Sequence, residues 1–163
     1  MPTLAVTGHM DLAPTARKLA GGALRELLAG YAGEELVGVS CIAPGADALF
    51  AEIVLEAGGT LVVVLPSLDY RAAHVEPDHE ALFDRLASAA SEVVVLPFQR
   101  ASRRAYEAAN AELIRRADAL IAVWDGTPPS GRGGGTADTV LAARAAGVPV
   151  HVVWPAGAVR GPA

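Results

Sequence analysis

The chain of 163 residues has the length of one domain with a sizeable hydrophobic core. Its formal charge of −5, from 13 basic and 18 acidic residues, argues against nucleic acid as a partner, because a nucleic-acid surface needs a basic excess. A single cysteine excludes an internal disulfide, and the sequence shows neither a signal-peptide pattern nor an apolar run of membrane-spanning length. We therefore expect a cytoplasmic protein that makes no contact with a membrane.

Short apolar runs alternate with helical patterns along the chain. Six runs predict β-strands, at residues 4–7, 36–42, 60–65, 92–96, 119–124 and 148–154. Five patterns predict helices, at residues 14–30, 47–57, 78–90, 102–117 and 137–146. A long loop at residues 66–77 is left between the third strand and the third helix, and long loops are often binding loops.

Continuous apolar strands joined by helices are typical of a parallel sheet that is covered on both faces. With right-handed crossovers, the pattern predicts one doubly wound, Rossmann-like α/β domain at residues 1–155, followed by a flexible tail at 156–163. Ligands of such sheets bind beyond the carboxyl ends of the strands, at the point where the strand order reverses. The strand exits are therefore the candidate site.

The most distinctive stretch is the glycine loop, residues 127–135, which contains two prolines and four glycines. It leads from the fifth strand into a helix for which Thr136 is the predicted N-cap. Glycine permits positive φ and a close approach of the backbone, and the start of a helix favours negative charge. The backbone of Gly133, Gly134, Gly135 and Thr136 is thus a candidate phosphate site. The alternative is a flexible loop that binds nothing.

Other candidate residues lie where the remaining predicted strands end, or on the helices that follow them: Gly8, His9, Pro44, Gly45, Asp47, Arg100, Arg104, Asn110, Trp124 and Asp125. No Gly-x-Gly-x-x-Gly follows the first strand, and no Walker-type Lys follows the glycine loop. The spacing of the histidines matches no metal site, so no cofactor or metal is predicted.

We expect different candidates to bind different parts of one nucleotide. Asp47 would bind the ribose, Asn110 or Trp124 the base, and Arg100 or Arg104 would neutralise a phosphate. The structural alternatives are that Asp47 only caps its own helix and that the arginines only form a solvated helix start.

Three blocks of sequence together resemble the SLOG superfamily: AVTGHMDL, VSCIAPGADALFAEIVLEAGGTLVVVLP, and ANAELIRRADALIAVWDG followed by GGGTADTVLAARAAGVPV. That superfamily holds the Lonely Guy phosphoribohydrolases, the Rossmann domain of the DNA-processing protein A family and the YpsA-like proteins. The resemblance implies that the glycine loop and Thr136 hold phosphate, and that Gly45, Asp47 and Asn110 line the pocket.

The resemblance is not complete at the catalytic position of the Lonely Guy enzymes. Their motif Pro-Gly-Gly-x-Gly-Thr-x-x-Glu ends in a catalytic Glu, where this chain has Thr139, and Asp138 is the nearby carboxylate. We therefore expect a module that binds a nucleotide or a nucleotide-derived phosphate ligand. The alternative is a nucleotide N-glycosidase in which Asp138 is the catalytic residue. Exposed Ala- and Leu-rich helices are compatible with a homodimer or higher oligomer.

Overall fold

A computed structural model describes residues 2–31, 35–131, 133 and 135–161. Its six strands are β1 (Thr3–Gly8), β2 (Val37–Ser40), β3 (Thr60–Leu65), β4 (Glu92–Val95), β5 (Ala119–Val123) and β6 (Val150–Val152). Its helices are α1 (Pro14–Ala29), α2 (Ala46–Glu56), α3 (Tyr70–His74), α4 (Glu80–Ala89), α5 (Arg103–Arg116) and α6 (Thr136–Ala145). Every predicted strand and helix has its counterpart among these elements.

The strands form one sheet in the order β4-β3-β2-β1-β5-β6, and every neighbouring pair is parallel. The chain builds outward from β1 through β2, β3 and β4, and then returns to the other side of β1 for β5 and β6. The order therefore reverses at β1, where Gly8 lies in register with Val123 of β5. The predicted doubly wound α/β fold is confirmed, and the reversal point lies between the ends of β1 and β5.

Helices cover both faces of this sheet. On one face, Leu24 of α1 and Phe50 of α2 pack in the same cluster as Val6 of β1. On the other face, Leu113 of α5 packs with Leu120 of β5. The central strands are buried on both sides, which explains their unbroken apolar sequences. No helix in the described ranges combines the length and the apolar character that crossing a membrane requires.

Two segments differ from the sequence expectation. The predicted loop 66–77 contains α3, because Tyr70 turns into the core and its ring lies 6.2 Å from that of Phe83. Residues 156–161, predicted as part of a flexible tail, run back along the loop after β1. There Arg160 pairs with Leu12 in an antiparallel bridge, and the Gly161 N–H donates to the Asp11 carbonyl at 2.6 Å.

Candidate ligand-binding site

A cleft of about 740 Å³ opens at the carboxyl edge of the sheet, above the ends of β1 and β5. Its walls are the loops after β1, β2 and β5, the helices α3 and α5, and the first turn of α6. It is lined by a large share of the residues predicted from the sequence: Gly8, His9, Pro44, Asp47, Asn110, Trp124, Gly135, Thr136 and Asp138. The structure therefore brings together residues from five separate stretches of the chain.

The other predicted residues lie elsewhere. Arg100 and Arg104 are exposed and do not line the cleft. Gly133 lines a second groove of about 570 Å³ between α5 and α6, which shares Asn110 and Asp138 with the cleft. Gly134 lies outside the described residues. Gly45 and Asp125 support the cleft from behind, as the following contacts show.

Two glycines bring the first two strand exits into contact. A Cβ on Gly8 would lie 2.4 Å from the Cβ of Ala46, and a Cβ on Gly45 would lie 2.5 Å from the His9 carbonyl oxygen. Gly45 also has a φ of +82°, which a side chain rarely adopts. The Ala46 N–H then donates to the His9 carbonyl at 3.1 Å. These glycines let α2 begin directly against the β1 loop.

A strained turn places the residues that follow β2. Ile42 is fully buried with a φ of +48°, unusual for a β-branched residue. The Ser40 hydroxyl accepts from the Ile42 N–H at 3.0 Å and donates to the Asp47 carbonyl at 2.9 Å. The buried His79 ring donates from Nε2 to the Ile42 carbonyl at 2.9 Å. The turn is thus held from both sides, and it presents Asp47 to the cleft.

Asp47 is the cleft carboxyl with the most altered acidity. Burial raises its pKa to about 7, and the Ala43 N–H bonded to it only partly offsets that effect. Burial likewise raises the pKa of the neighbouring Cys41 thiol and of the Tyr70 hydroxyl. Perturbed groups of this kind in a cleft are typical of functional sites, although structural networks also produce them.

The first turn of α6 is capped differently from the prediction. The N-cap is Gly135 and not Thr136, and its φ of −84° lies in the ordinary extended region. The Asp138 carboxylate accepts from the Gly135 N–H at 3.1 Å, and the Thr139 hydroxyl donates to the Gly135 carbonyl at 3.0 Å. The backbone groups of the N-cap are therefore bonded by the side chains of Asp138 and Thr139, which belong to α6 itself. The positive φ values that the glycine loop allows occur at Gly131 and Gly133 instead.

His9 and Asp125 form a polar link between the ends of β1 and β5. His9 is only 6% exposed, and its Nε2 lies 3.1 Å from both Oδ1 and the backbone nitrogen of Asp125. Burial, together with the positive charge of Arg160, lowers the pKa of His9, so its ring is neutral at neutral pH. Burial acts to raise the pKa of Asp125, but hydrogen bonds from Thr127 and His9 outweigh it and bring it to about 2. Asp125 therefore organises the loop and does not face the cleft.

Several cleft residues were not among the predicted site residues. Tyr70, His74 and Tyr106 line it, as does Arg160, whose Nε lies 3.0 Å from the Asp11 carboxylate. The sequence carried a partial signal for Tyr70 and His74, since both lie in the long loop after the third strand. It carried none for Arg160, which reaches the cleft only because residues 156–161 fold back.

Comparison with known proteins rests on solved structures, because no protein-family model and no curated protein matches the chain. DNA processing protein A from Streptococcus pneumoniae is 20% identical with a TM-score of 0.69, over 96% of this chain and 52% of that one. The protein TM1055 is 23% identical with a TM-score of 0.59, over 92% and 72%. The molybdenum cofactor binding protein of the phototrophic bacterium Rippkaea orientalis is 21% identical with a TM-score of 0.57, over 93% and 75%.

These neighbours decide the fold. The chain shares the α/β fold of these three proteins. It spans about half the length of DNA processing protein A, so it corresponds in fold to one part of that larger protein. At these sequence identities, the likeness establishes the architecture, and the ligand must be argued from the cleft itself.

Proposed function

We propose that the cleft binds a nucleotide or a nucleotide-derived phosphate ligand. The observation that carries the proposal is the position of the α6 N-terminus. Gly135, Thr136 and Ala137 all line the cleft at the carboxyl edge of the sheet, beside its reversal point. The Gly135 N–H is already bonded to the Asp138 carboxylate, but the N–H groups that follow it have no partner within the helix, and the helix dipole favours an anion there.

The remaining features of the cleft are consistent with such a ligand. Its volume of about 740 Å³ suits a small organic molecule. Arg160 supplies a positive charge to the cleft lining, and Trp124 supplies an aromatic side chain. A fold neighbour is a molybdenum cofactor binding protein, so this architecture accommodates a small-molecule site in at least one other protein. Nucleic acid is a less suitable ligand, because the chain carries a formal charge of −5.

Gly135→Val tests the phosphate position. At φ −84° valine fits the backbone, and among the described residues its Cβ meets only Asp138 Oδ2, at 3.4 Å, so the fold should be retained. The added side chain would occupy the space in front of the α6 N-terminus. We expect nucleoside monophosphates to raise the melting temperature of the wild type, and this rise to disappear in the variant.

The matched control is Gly22→Val in α1, where a Cβ comes within 4 Å of no described atom outside the helix's own backbone. It should keep the full ligand-induced shift. A single-stranded oligonucleotide is added to the panel because one fold neighbour is a DNA processing protein. Equal ligand-induced shifts in Gly135→Val and in the wild type would remove the α6 N-terminus from the site.

A second candidate function is hydrolysis of the N-glycosidic bond of a nucleotide, since the Asp138 carboxylate lines the cleft in the first turn of α6. Its hydrogen bond to Gly135 already gives Asp138 a capping role, so we expect no free base from the wild type. Asp138→Asn should then lower the stability by only about 0.3–1 kcal/mol. Chromatography of wild-type and variant incubations tests this. Base release that falls about a hundredfold in the variant would establish the enzyme instead.

A further inference from the structure

One part of the cleft lining combines aromatic side chains with a carboxyl. We call it the tyrosine wall, formed by Asp47, Tyr70, His74 and Tyr106, all of which line the cleft. Tyr70 is only 7% exposed; its ring stacks on that of His74 with centroids 6.0 Å apart and meets Tyr106 edge-on at 6.4 Å. The tyrosine wall therefore combines three aromatic side chains with the Asp47 carboxyl.

The Asp47 carboxyl has unused hydrogen-bonding capacity. An ionised carboxylate can accept about four hydrogen bonds. Asp47 accepts from the Ala43 N–H, and across the described part of the chain no side chain donates to it. Asp47 is half-buried, and a partly desolvated group with incomplete hydrogen bonding gains from a ligand that supplies donors.

We propose that the tyrosine wall binds the heterocyclic base of the ligand, and that Asp47 accepts two adjacent N–H groups from its edge, as guanine presents them. This inference rests on the proposed function, since the base and the phosphate would belong to one ligand. Two parallel N–H groups match the two oxygens of a carboxylate, and a flat ring packs well on aromatic side chains. The hydroxyls of a ribose can also donate to a carboxylate, but a ribose does not need the aromatic side chains beside it.

Adenine offers a different edge, in which an acceptor nitrogen lies beside a single N–H₂ donor. An ionised Asp47 would face the lone pair of that acceptor, whereas a protonated Asp47 could donate to it. The base preference is therefore linked to the protonation of Asp47, and the two purines should respond to pH in opposite directions.

The pH range follows from the pKa of Asp47, which burial raises to about 7. Guanosine should bind the ionised form and release a proton, so its affinity should increase from pH 6 to pH 8. Adenosine should bind the protonated form, so its affinity should decrease over the same range. Two titratable groups interact electrostatically with Asp47, namely Cys41 and Tyr70. Burial raises the pKa of each, so both stay neutral throughout.

The experiment is calorimetric titration of the full chain with guanosine and adenosine at pH 6 and pH 8. At pH 8 we expect guanosine to bind roughly tenfold or more tightly than adenosine. In Asp47→Asn, whose amide presents one donor and one acceptor, the preference should be lost or reversed and the pH dependence should vanish. The control Asp11→Asn, which lies on the cleft but outside the tyrosine wall, should keep both.

Equal affinity for the two nucleosides at pH 8, or an unchanged preference in Asp47→Asn, would overturn the inference. Its failure is distinguishable from failure of the proposed function. If GMP binds with dependence on Gly135 while the nucleosides show no preference, the phosphate site stands and the base assignment falls. If guanosine is preferred but GMP binds no better than guanosine, the base assignment stands and the phosphate site falls.

Discussion

Asp47→Asn is expected to stabilise the protein at pH 8 by up to about 4 kcal/mol, while changing its stability little at pH 4. The pKa of Asp47 is raised from its ordinary value of 3.8 to about 7 by burial. A group whose pKa is raised on folding contributes stability below the unfolded pKa and loses it as the pH rises through the folded pKa. The ionised carboxylate is therefore a cost above pH 7, and asparagine removes that cost.

Urea unfolding at pH 4, 6 and 8 measures this effect. The matched control is Asp11→Asn, because Asp11 also lines the cleft but is exposed and bonded to Arg160. That control should be neutral or slightly destabilising at every pH. The wild-type stability should itself fall between pH 4 and pH 7 relative to Asp47→Asn. A stability difference independent of pH would show that Asp47 does not titrate in this range.

Gly8→Ala and Gly45→Ala are each expected to destabilise the protein by about 3 kcal/mol or more, for different physical reasons. At Gly8 the new Cβ would lie 2.4 Å from the Ala46 Cβ and 2.9 Å from the Val123 Cβ, so α2 or β5 must move. At Gly45 the new Cβ would meet backbone oxygens at 2.5 and 2.7 Å, and the φ of +82° adds backbone strain.

A double substitution separates the two causes. Ala46→Gly removes the atom nearest to the new Cβ at position 8, so Gly8→Ala combined with Ala46→Gly should recover part of the stability. The same Ala46→Gly should not rescue Gly45→Ala, since the atoms in the way there belong to the backbone. Thermal unfolding of the set, with Gly22→Ala in α1 as a stabilising control of about 0.5–1 kcal/mol, checks both expectations. Equal rescue of both variants would contradict the assigned contacts.

The sheet was predictable because each strand is marked by residues that are consecutive in the sequence. Strands such as β3 and β5 are buried on both faces, so their apolar runs are unbroken and bounded by glycine or aspartate. β6 is an edge strand, and here the prediction of residues 148–154 shrinks to Val150–Val152, since pairing on one side only defines its length. The short helix α3 was missed because its anchor, Tyr70, is fixed by packing on Phe83 of α4 and not by neighbours in sequence.

The cleft was predictable in position but only partly in chemistry. Strand exits of a doubly wound sheet converge on one edge, and that rule alone located Gly8, His9, Asp47 and Trp124. The same rule could not show that Thr136 lies inside α6. The N-cap is Gly135, which has no side chain, and the Asp138 carboxylate bonds to the Gly135 N–H instead. Nor could it show the pKa of Asp47, which depends on burial by elements distant in sequence.

The return of residues 156–161 to the β1 loop has a consequence for how the protein is made. The cleft is built from residues as early as Val6 and as late as Arg160, although its centre is the first strand of the chain. During synthesis, a ribosome must therefore export nearly all of these 163 residues before the site is complete. Before that stage β1 has one neighbouring strand, β2, and the edge that later pairs with β5 is unpaired. Chaperone dependence of synthesis should accordingly be concentrated in the interval before residues 119–123 emerge.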